Sequence, residues 1–248
     1  MTIDETRFAW VYPAMVLAGL ALLVLVPTTQ PIPPAARPKY AVLQLFTLAG
    51  ALIGAKAAML MGDLGWPWTP LAGGWREVVF SGRSITGGLL GGFLLAEIGK
   101  PLLHYDLPPN DHFAAKLPFS IALGRVGCVL GGCCRGVPWD GPIAIRYSDG
   151  IARVPASLIE LVFQLGVGAA LVAVVRAKKI PGGVFALYMI LYGVFRFVLE
   201  PVRVTPKPWA GYSVYQVLAI AMIAAGIASL YARVLRRDPH PRAQVEAR

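Results

Sequence analysis

Acidic residues and histidine are both scarce in this chain. Of 248 residues, 13 are Asp or Glu against 23 Lys or Arg, and three are His. Charged residues reach only 15% while apolar ones reach 56%, which excludes an ordinary soluble domain. The 27 glycines and 21 prolines exclude a plain coiled bundle. The N-terminus lacks the basic segment that precedes a secretory signal. Thr2–Arg7 mixes acids with one arginine, so the first apolar run is expected to stay in place as a span. A formal net charge of +10 would suit nucleic acid, but no basic helix or aromatic-basic module is present, and no nucleic-acid partner is expected.

What the chain does have is a succession of apolar runs long enough to cross a bilayer, for which about 20 residues suffice. Candidate spans lie near Tyr12–Val26, Tyr40–Met61, Val78–Ile98, Phe113–Leu130, Ala156–Val175, Gly183–Leu199 and Tyr212–Leu235. The expected fold is all-α, a polytopic membrane protein of about seven transmembrane helices. Residues 1–235 are expected to form a single transmembrane domain and 236–248 a disordered cytoplasmic tail. Lys and Arg concentrate at Arg37 and Lys39, at Lys100 and Lys116, at Arg176–Lys179 and in the tail. The positive-inside rule then puts the N-terminus outside and the C-terminus in the cytoplasm.

On that topology the polar residues within the spans fall at one depth. Arg83 and Thr86 enter the third span from outside, and Arg125, Cys128, Cys133 and Cys134 leave the fourth. Glu160 opens the fifth, while Arg196, Glu200 and Arg203 close the sixth. Charged groups inside a bilayer are costly and face a bundle interior or a wet cavity, so these residues suggest one polar chamber in the outer leaflet. Arg196 and Glu200, spaced i,i+4, can pair on one helix face, either as a structural ion pair or in catalysis. Arg203 is either an interfacial, snorkelling arginine or part of the chamber. Gly87, Gly88, Gly91 and Gly92 suit close helix packing, as do Gly50 and Gly54, or a backbone opened toward phosphate. Pro201 is expected to end or kink the sixth helix and to disfavour α geometry at Glu200, and Pro118 can kink the fourth. His104, His112 and His240 all fall on the cytoplasmic side, away from the chamber.

All three cysteines cluster in Cys128–Cys134. An outer location is oxidising, so a disulfide with one thiol left over is one reading, helped by a break at Gly131-Gly132. Inert packed cysteines, a thiol activated by Arg125 or Arg135, and a soft-metal site are the others. Three thiols with no nearby histidine fill a metal site incompletely, so no metal and no cofactor is assigned. Elsewhere, Trp66, Trp68 and Trp75 suit an interfacial aromatic belt. The loop Gly136–Val154 alternates at Ile143–Tyr147 as a small hairpin would, and could serve as a lid.

The motifs Gly87-Gly88-Leu89-Leu90-Gly91, Gly124-Arg125-Val126-Gly127 and Tyr192–Glu200 with Arg203 together resemble those of the prolipoprotein diacylglyceryl transferases. Pro155–Glu160 and Gly211–Gln216 resemble that family's weaker motifs in the same order. The resemblance implies a seven-span bacterial inner-membrane enzyme with its site toward the outer leaflet. It implies transfer of diacylglycerol from phosphatidylglycerol to an acceptor thiol, with release of glycerol phosphate. The partners would be the phospholipid and a lipoprotein precursor. By resemblance, Arg125 and Arg196 bind the phosphate, Glu200 orients Arg196, and Arg203 completes a basic rim. Arg83, Thr86, Gly87, Gly88 and Glu160 complete the expected substrate-binding set. Three positions depart from the family pattern: Thr86 replaces a histidine, Cys128 an asparagine and Cys133 a glutamate. A lipid or small-solute carrier using the same chamber, and a thiol redox or metal-handling protein, are the alternative functions.

Overall fold

The computed structural model describes residues 10–26, 32–67, 70, 74, 76, 82–107 and 109–235. Among them are seven α-helices: α1 (Val11–Leu25), α2 (Arg37–Gly62), α3 (Ile85–Leu102), α4 (Asp111–Leu130), α5 (Ala156–Arg176), α6 (Val184–Leu199) and α7 (Val214–Leu230). Five of the seven, α2, α4, α5, α6 and α7, are long and apolar enough to cross a membrane. The chain is an all-α, polytopic membrane protein. Leu17, Val24, Ile53, Val162, Val198 and Ile227 point outward, as lipid-facing positions do. Trp68, Trp75 and the 236–248 tail lie outside the described residues.

Helix ends follow local chemistry. The third helix begins at Ile85, where the Ser84 hydroxyl accepts the Gly87 N–H and sets the N-cap, while residues 78–81, the start of the expected span, lie outside the described residues. It then continues through Pro101 to Leu102. Asn110 caps α4 by accepting the Phe113 N–H. The sixth helix ends at Leu199, as Pro201 suggests, but Glu200 keeps φ −61° and ψ −35°. The expectation that proline would push Glu200 out of the α region is corrected. Pro201 sits inside a 3-10 turn, Glu200–Val202, where its missing N–H costs nothing.

Tight glycine contacts bring α2 against α3. A Cβ on Gly54 would lie 2.3 Å from the Gly87 carbonyl oxygen, and one on Gly91 2.3 Å from that of Gly50. Helices approach this closely only through small residues. Helix α4 packs between α1 and α5, and α6 against α7. The shared core is built on Leu89, Val167, Leu171, Tyr188, Met189 and Met222.

At one end of the bundle Arg233 binds the Glu97 carboxylate, which also holds Lys100 at 2.6 Å. At that same end the Asp111 carboxylate accepts the N–H groups of Gly182 at 2.5 Å and Val184 at 3.2 Å. The opposite end carries the 131–155 loop. Its hairpin is short: β1 (Ile145–Arg146) pairs antiparallel with β2 (Ala152–Arg153). Arg153 at 2.9 Å and Arg135 at 3.2 Å both hold Asp149 in the turn between them. The loop is joined to the segment after α6, where the Val137 N–H donates to the Val202 carbonyl.

Candidate functional site

The C-terminal ends of α2, α4 and α6 and the N-terminal ends of α1, α3 and α7 meet around one cavity of about 520 Å³. Arg83, Arg125, Arg196 and Arg203 all line it, together with Cys128, Cys133 and Cys134. Guanidinium groups that the sequence spreads over 121 positions, from Arg83 to Arg203, thus converge on one space.

Each deeply buried arginine has its own carboxylate. Helix α5 begins just after Pro155 and buries Glu160 completely. Its Oε1 accepts Arg125 Nη2 at 2.8 Å and the Tyr192 hydroxyl at 2.7 Å. On α6, Arg196 pairs with Glu200 one turn later. Glu200 Oε1 also accepts the hydroxyls of Thr205 at 2.6 Å and Ser213 at 2.8 Å. Ser213 is at the same time the N-cap of α7, in a capping box with Gln216. One serine therefore fixes both the start of α7 and the carboxylate that holds Arg196. The guanidinium of Arg196 also lies 5.2 Å from the centre of the Tyr215 ring.

Some bond capacity is left over on arginines that line the cavity. Arg125 Nε and Arg203 Nη1 are buried and have no hydrogen-bond partner among the described residues. Arg203 is only 3.9 Å from Glu200 through its Nε. Buried donors without partners carry a cost unless a ligand meets them. Their placement suits an anion with several acceptor oxygens, such as a phosphate ester.

The remaining sequence candidates separate into two groups. Arg83 is exposed at the cavity mouth. Gly87 packs on α2, where a Cβ would lie 2.2 Å from the Gly54 carbonyl oxygen. Gly88 meets α2 more loosely, where a Cβ would lie 3.4 Å from the Ala51 carbonyl oxygen, and neither glycine lines the cavity. Thr86 is 1% exposed, its hydroxyl without a partner among the described residues, and it too is absent from the lining. His104 follows α3 and His112 lies in the first turn of α4, both at the far end of the bundle from the cavity.

Sequence reasoning missed Tyr12, Asp63, Tyr192 and Tyr215, all of which line the cavity. Asp63 follows the last residue of α2 and is the carboxylate in that lining. Desolvation raises its carboxyl above the ordinary range, against a hydrogen bond from Tyr215 and the charge of Arg203. An aspartate after an apolar run reads as a helix end in sequence, and nothing local marks it as chamber-facing.

The three cysteines are free, so of the four readings left open by the sequence the disulfide is not the one seen. Cys128 is buried on the last turn of α4, Cys133 is half-buried and Cys134 is exposed. Gly132 at φ 62° and Cys134 at φ 55° fold the chain back over that turn. The Cys133 N–H donates to the Cys128 carbonyl at 3.1 Å. The Ser157 hydroxyl bonds the carbonyls of Cys133 at 3.0 Å and Cys134 at 3.3 Å.

The prolipoprotein diacylglyceryl transferase family model matches residues 3–232. The chain is 35% identical over 159 residues to a phosphatidylglycerol–prolipoprotein diacylglyceryl transferase of Nitrosomonas europaea, covering 60% of this chain and 57% of that protein. It is 32% identical over 174 residues to one of Pseudomonas aeruginosa, covering 65% and 64%. Against one of Clostridium tetani it is 28% identical over 134 residues, covering 51% and 54%. The matched stretches span less than two thirds of the length of these relatives.

Proposed function

The chain belongs to the prolipoprotein diacylglyceryl transferase family, and from that premise we propose that it moves the diacylglyceryl group of phosphatidylglycerol onto an acceptor thiol and releases glycerol phosphate. The observation that carries this reading is the convergence of Arg125, Arg196 and Arg203 on one cavity, with unspent donors on Arg125 and Arg203.

The chemistry follows from charge. Displacing a phosphate ester at carbon leaves the electron pair on a phosphate oxygen, and the leaving group gains one negative charge. Guanidinium donors already held in a low-dielectric pocket stabilise that charge without reorganising. Glu160 and Glu200, wholly buried and ion-paired, position Arg125 and Arg196 and are poorly placed to act as bases. Asp63 lines the cavity and is the better proton acceptor for an incoming thiol. The site lies at the end of the bundle away from Lys100, Arg176–Lys179 and Arg233. By the positive-inside rule that end faces the outer leaflet of a bacterial inner membrane. The hairpin beside it is the candidate lid, and a lipoprotein precursor the candidate thiol donor.

The test is incubation of the purified full chain with labelled phosphatidylglycerol and a cysteine peptide, followed by mass analysis. Glycerol phosphate and a lipidated peptide in equal amounts are expected. Lipid movement between vesicles with neither product would replace the enzyme reading by a carrier.

A further inference from the structure

The three cysteine sulfurs lie within 4.8 Å of one another, in the wall of the arginine cavity. We propose that Cys128, Cys133 and Cys134 hold a zinc ion with one open coordination position, and that this position receives the acceptor thiol.

Among the described residues, geometry supports these three ligands. Zinc–sulfur bonds of about 2.3 Å place tetrahedral sulfurs about 3.8 Å apart, so the widest pair here must close by about 1 Å. Cys134 and Cys133 follow a turn outside any helix, where such a shift is inexpensive. The chain also accepts a left-handed conformation at Cys134, φ 55°, which brings the third thiol back beside the first two. Ser157 secures that turn from α5 through both cysteine carbonyls. The lack of a fourth protein ligand among the described residues, a weakness in a structural site, is the mark of a catalytic one.

Electrostatics also favour it. Three thiolates and one zinc ion carry a net negative charge. Arg125 Nη1 lies 3.8 Å from Cys128 Sγ, and Arg203 lines the same wall. Zinc deprotonates a coordinated thiol outright, so an acceptor sulfur bound there becomes a nucleophile at neutral pH. Its proton passes by way of Asp63 to water. The sulfur lone pair then forms the S–C bond to the glyceryl carbon as the C–O bond to phosphate breaks. The electron pair leaves on glycerol phosphate, held by Arg125, Arg196 and Arg203, and the neutral thioether leaves the metal. No histidine reaches the cavity among the described residues, so this arrangement supplies the thiol activation that an imidazole would otherwise provide.

The activating role rests on the transferase reading, whereas the metal site stands alone. The full chain, purified in detergent, loaded with Zn²⁺ and desalted, is expected to retain one zinc per chain. Loading with Co²⁺ instead is expected to give sulfur-to-cobalt charge-transfer absorption. Cys128→Ser, Cys133→Ser and Cys134→Ser should each weaken binding at least about tenfold and abolish that band, and Cys134→His should restore zinc retention. Unfolding of each metal-free variant at the temperature of the metal-free wild type shows that loss of metal is not loss of fold. Zinc retention unchanged in the triple Cys→Ser variant, or no retention by wild type with three titratable thiols, would overturn the site. Full transfer activity in chelator-stripped protein would overturn the activating role and leave the transferase reading intact. Zinc bound by all three cysteines, with no lipidated peptide formed, would overturn the transferase reading and keep the site.

Discussion

Replacing Glu160 by glutamine isolates what the buried Arg125–Glu160 pair does. The glutamate is 0% exposed and Arg125 7% exposed, with 2.8 Å between Nη2 and Oε1. Glutamine keeps the volume and an oxygen for the Tyr192 hydroxyl, so the change removes little but the charge. Breaking a buried pair from one side costs about 3–5 kcal/mol. Arg125 also faces the cavity, where water can reach it, so the lower figure of about 3 kcal/mol applies. In a chain of this size each kcal/mol moves the melting temperature by about 2–4 °C, giving a drop of roughly 6–12 °C. The same change leaves the guanidinium without a counter-charge and should tighten its hold on an anion. Glycerol phosphate at about 100 times its dissociation constant returns about 2.7 kcal/mol, most of the loss. At one fixed concentration the variant should gain more than wild type. Thermal unfolding of the detergent-purified chain, followed by tryptophan fluorescence with and without glycerol phosphate, measures both effects. A melting temperature within about 2 °C of wild type, or equal stabilisation of the two proteins, would refute the reasoning.

Arg196→Ala should lower turnover by about 10²–10³-fold in protein that still folds, and Arg196→Lys should recover only part, because an ammonium lacks the planar fork; steady-state kinetics on labelled phosphatidylglycerol would show it. Asp63→Asn should depress kcat more than phospholipid affinity if the carboxylate takes the thiol proton, and equal losses in both would argue against that role. Gly54→Ala would place a Cβ 2.3 Å from the Gly87 carbonyl oxygen and should cost about 1–3 kcal/mol. Gly88→Ala, with nothing nearer than 3.4 Å, should melt close to wild type. The Ile151 N–H first, and then Arg153, holds the Asp149 carboxyl below its ordinary range. A lowered carboxylate stabilises above its unfolded pKa of about 3.9 and loses that contribution as pH falls through the lowered value. Hydrogen exchange in the hairpin, corrected for intrinsic rate, should therefore stay flat down to about pH 4; loosening that begins near pH 6 would contradict it.

The helices were legible because an apolar run about 20 residues long has few other uses, and the site partly so because arginine in such a run needs a reason. Arg125, Arg196 and Arg203 lie on the same cavity, as their positions near span ends suggested. The spacing of Arg196 and Glu200 gave their pairing directly. The partner of Arg125 was less visible, since Glu160 lies 35 residues away on another helix. Tyr12, Tyr192 and Tyr215 were not among the expected site residues, and only the packing of helix ends shows that they line the chamber. The glycines of α3 had two readings, with packing the favoured one. The approach of Gly54 and Gly87 backbones decides for packing at Gly87. The cysteines were clear as a cluster but not as a constellation, because the left-handed turn at Cys134 is a backbone choice that no residue type announces.

Phosphorus NMR of phosphatidylglycerol bound to the detergent-purified chain tests most directly whether separate helices grip a single headgroup. Wild type should shift the phosphorus resonance. Arg125→Ala and Arg196→Ala should each abolish the shift, with the double variant no worse than either alone. A shift that survives both substitutions would contradict the account.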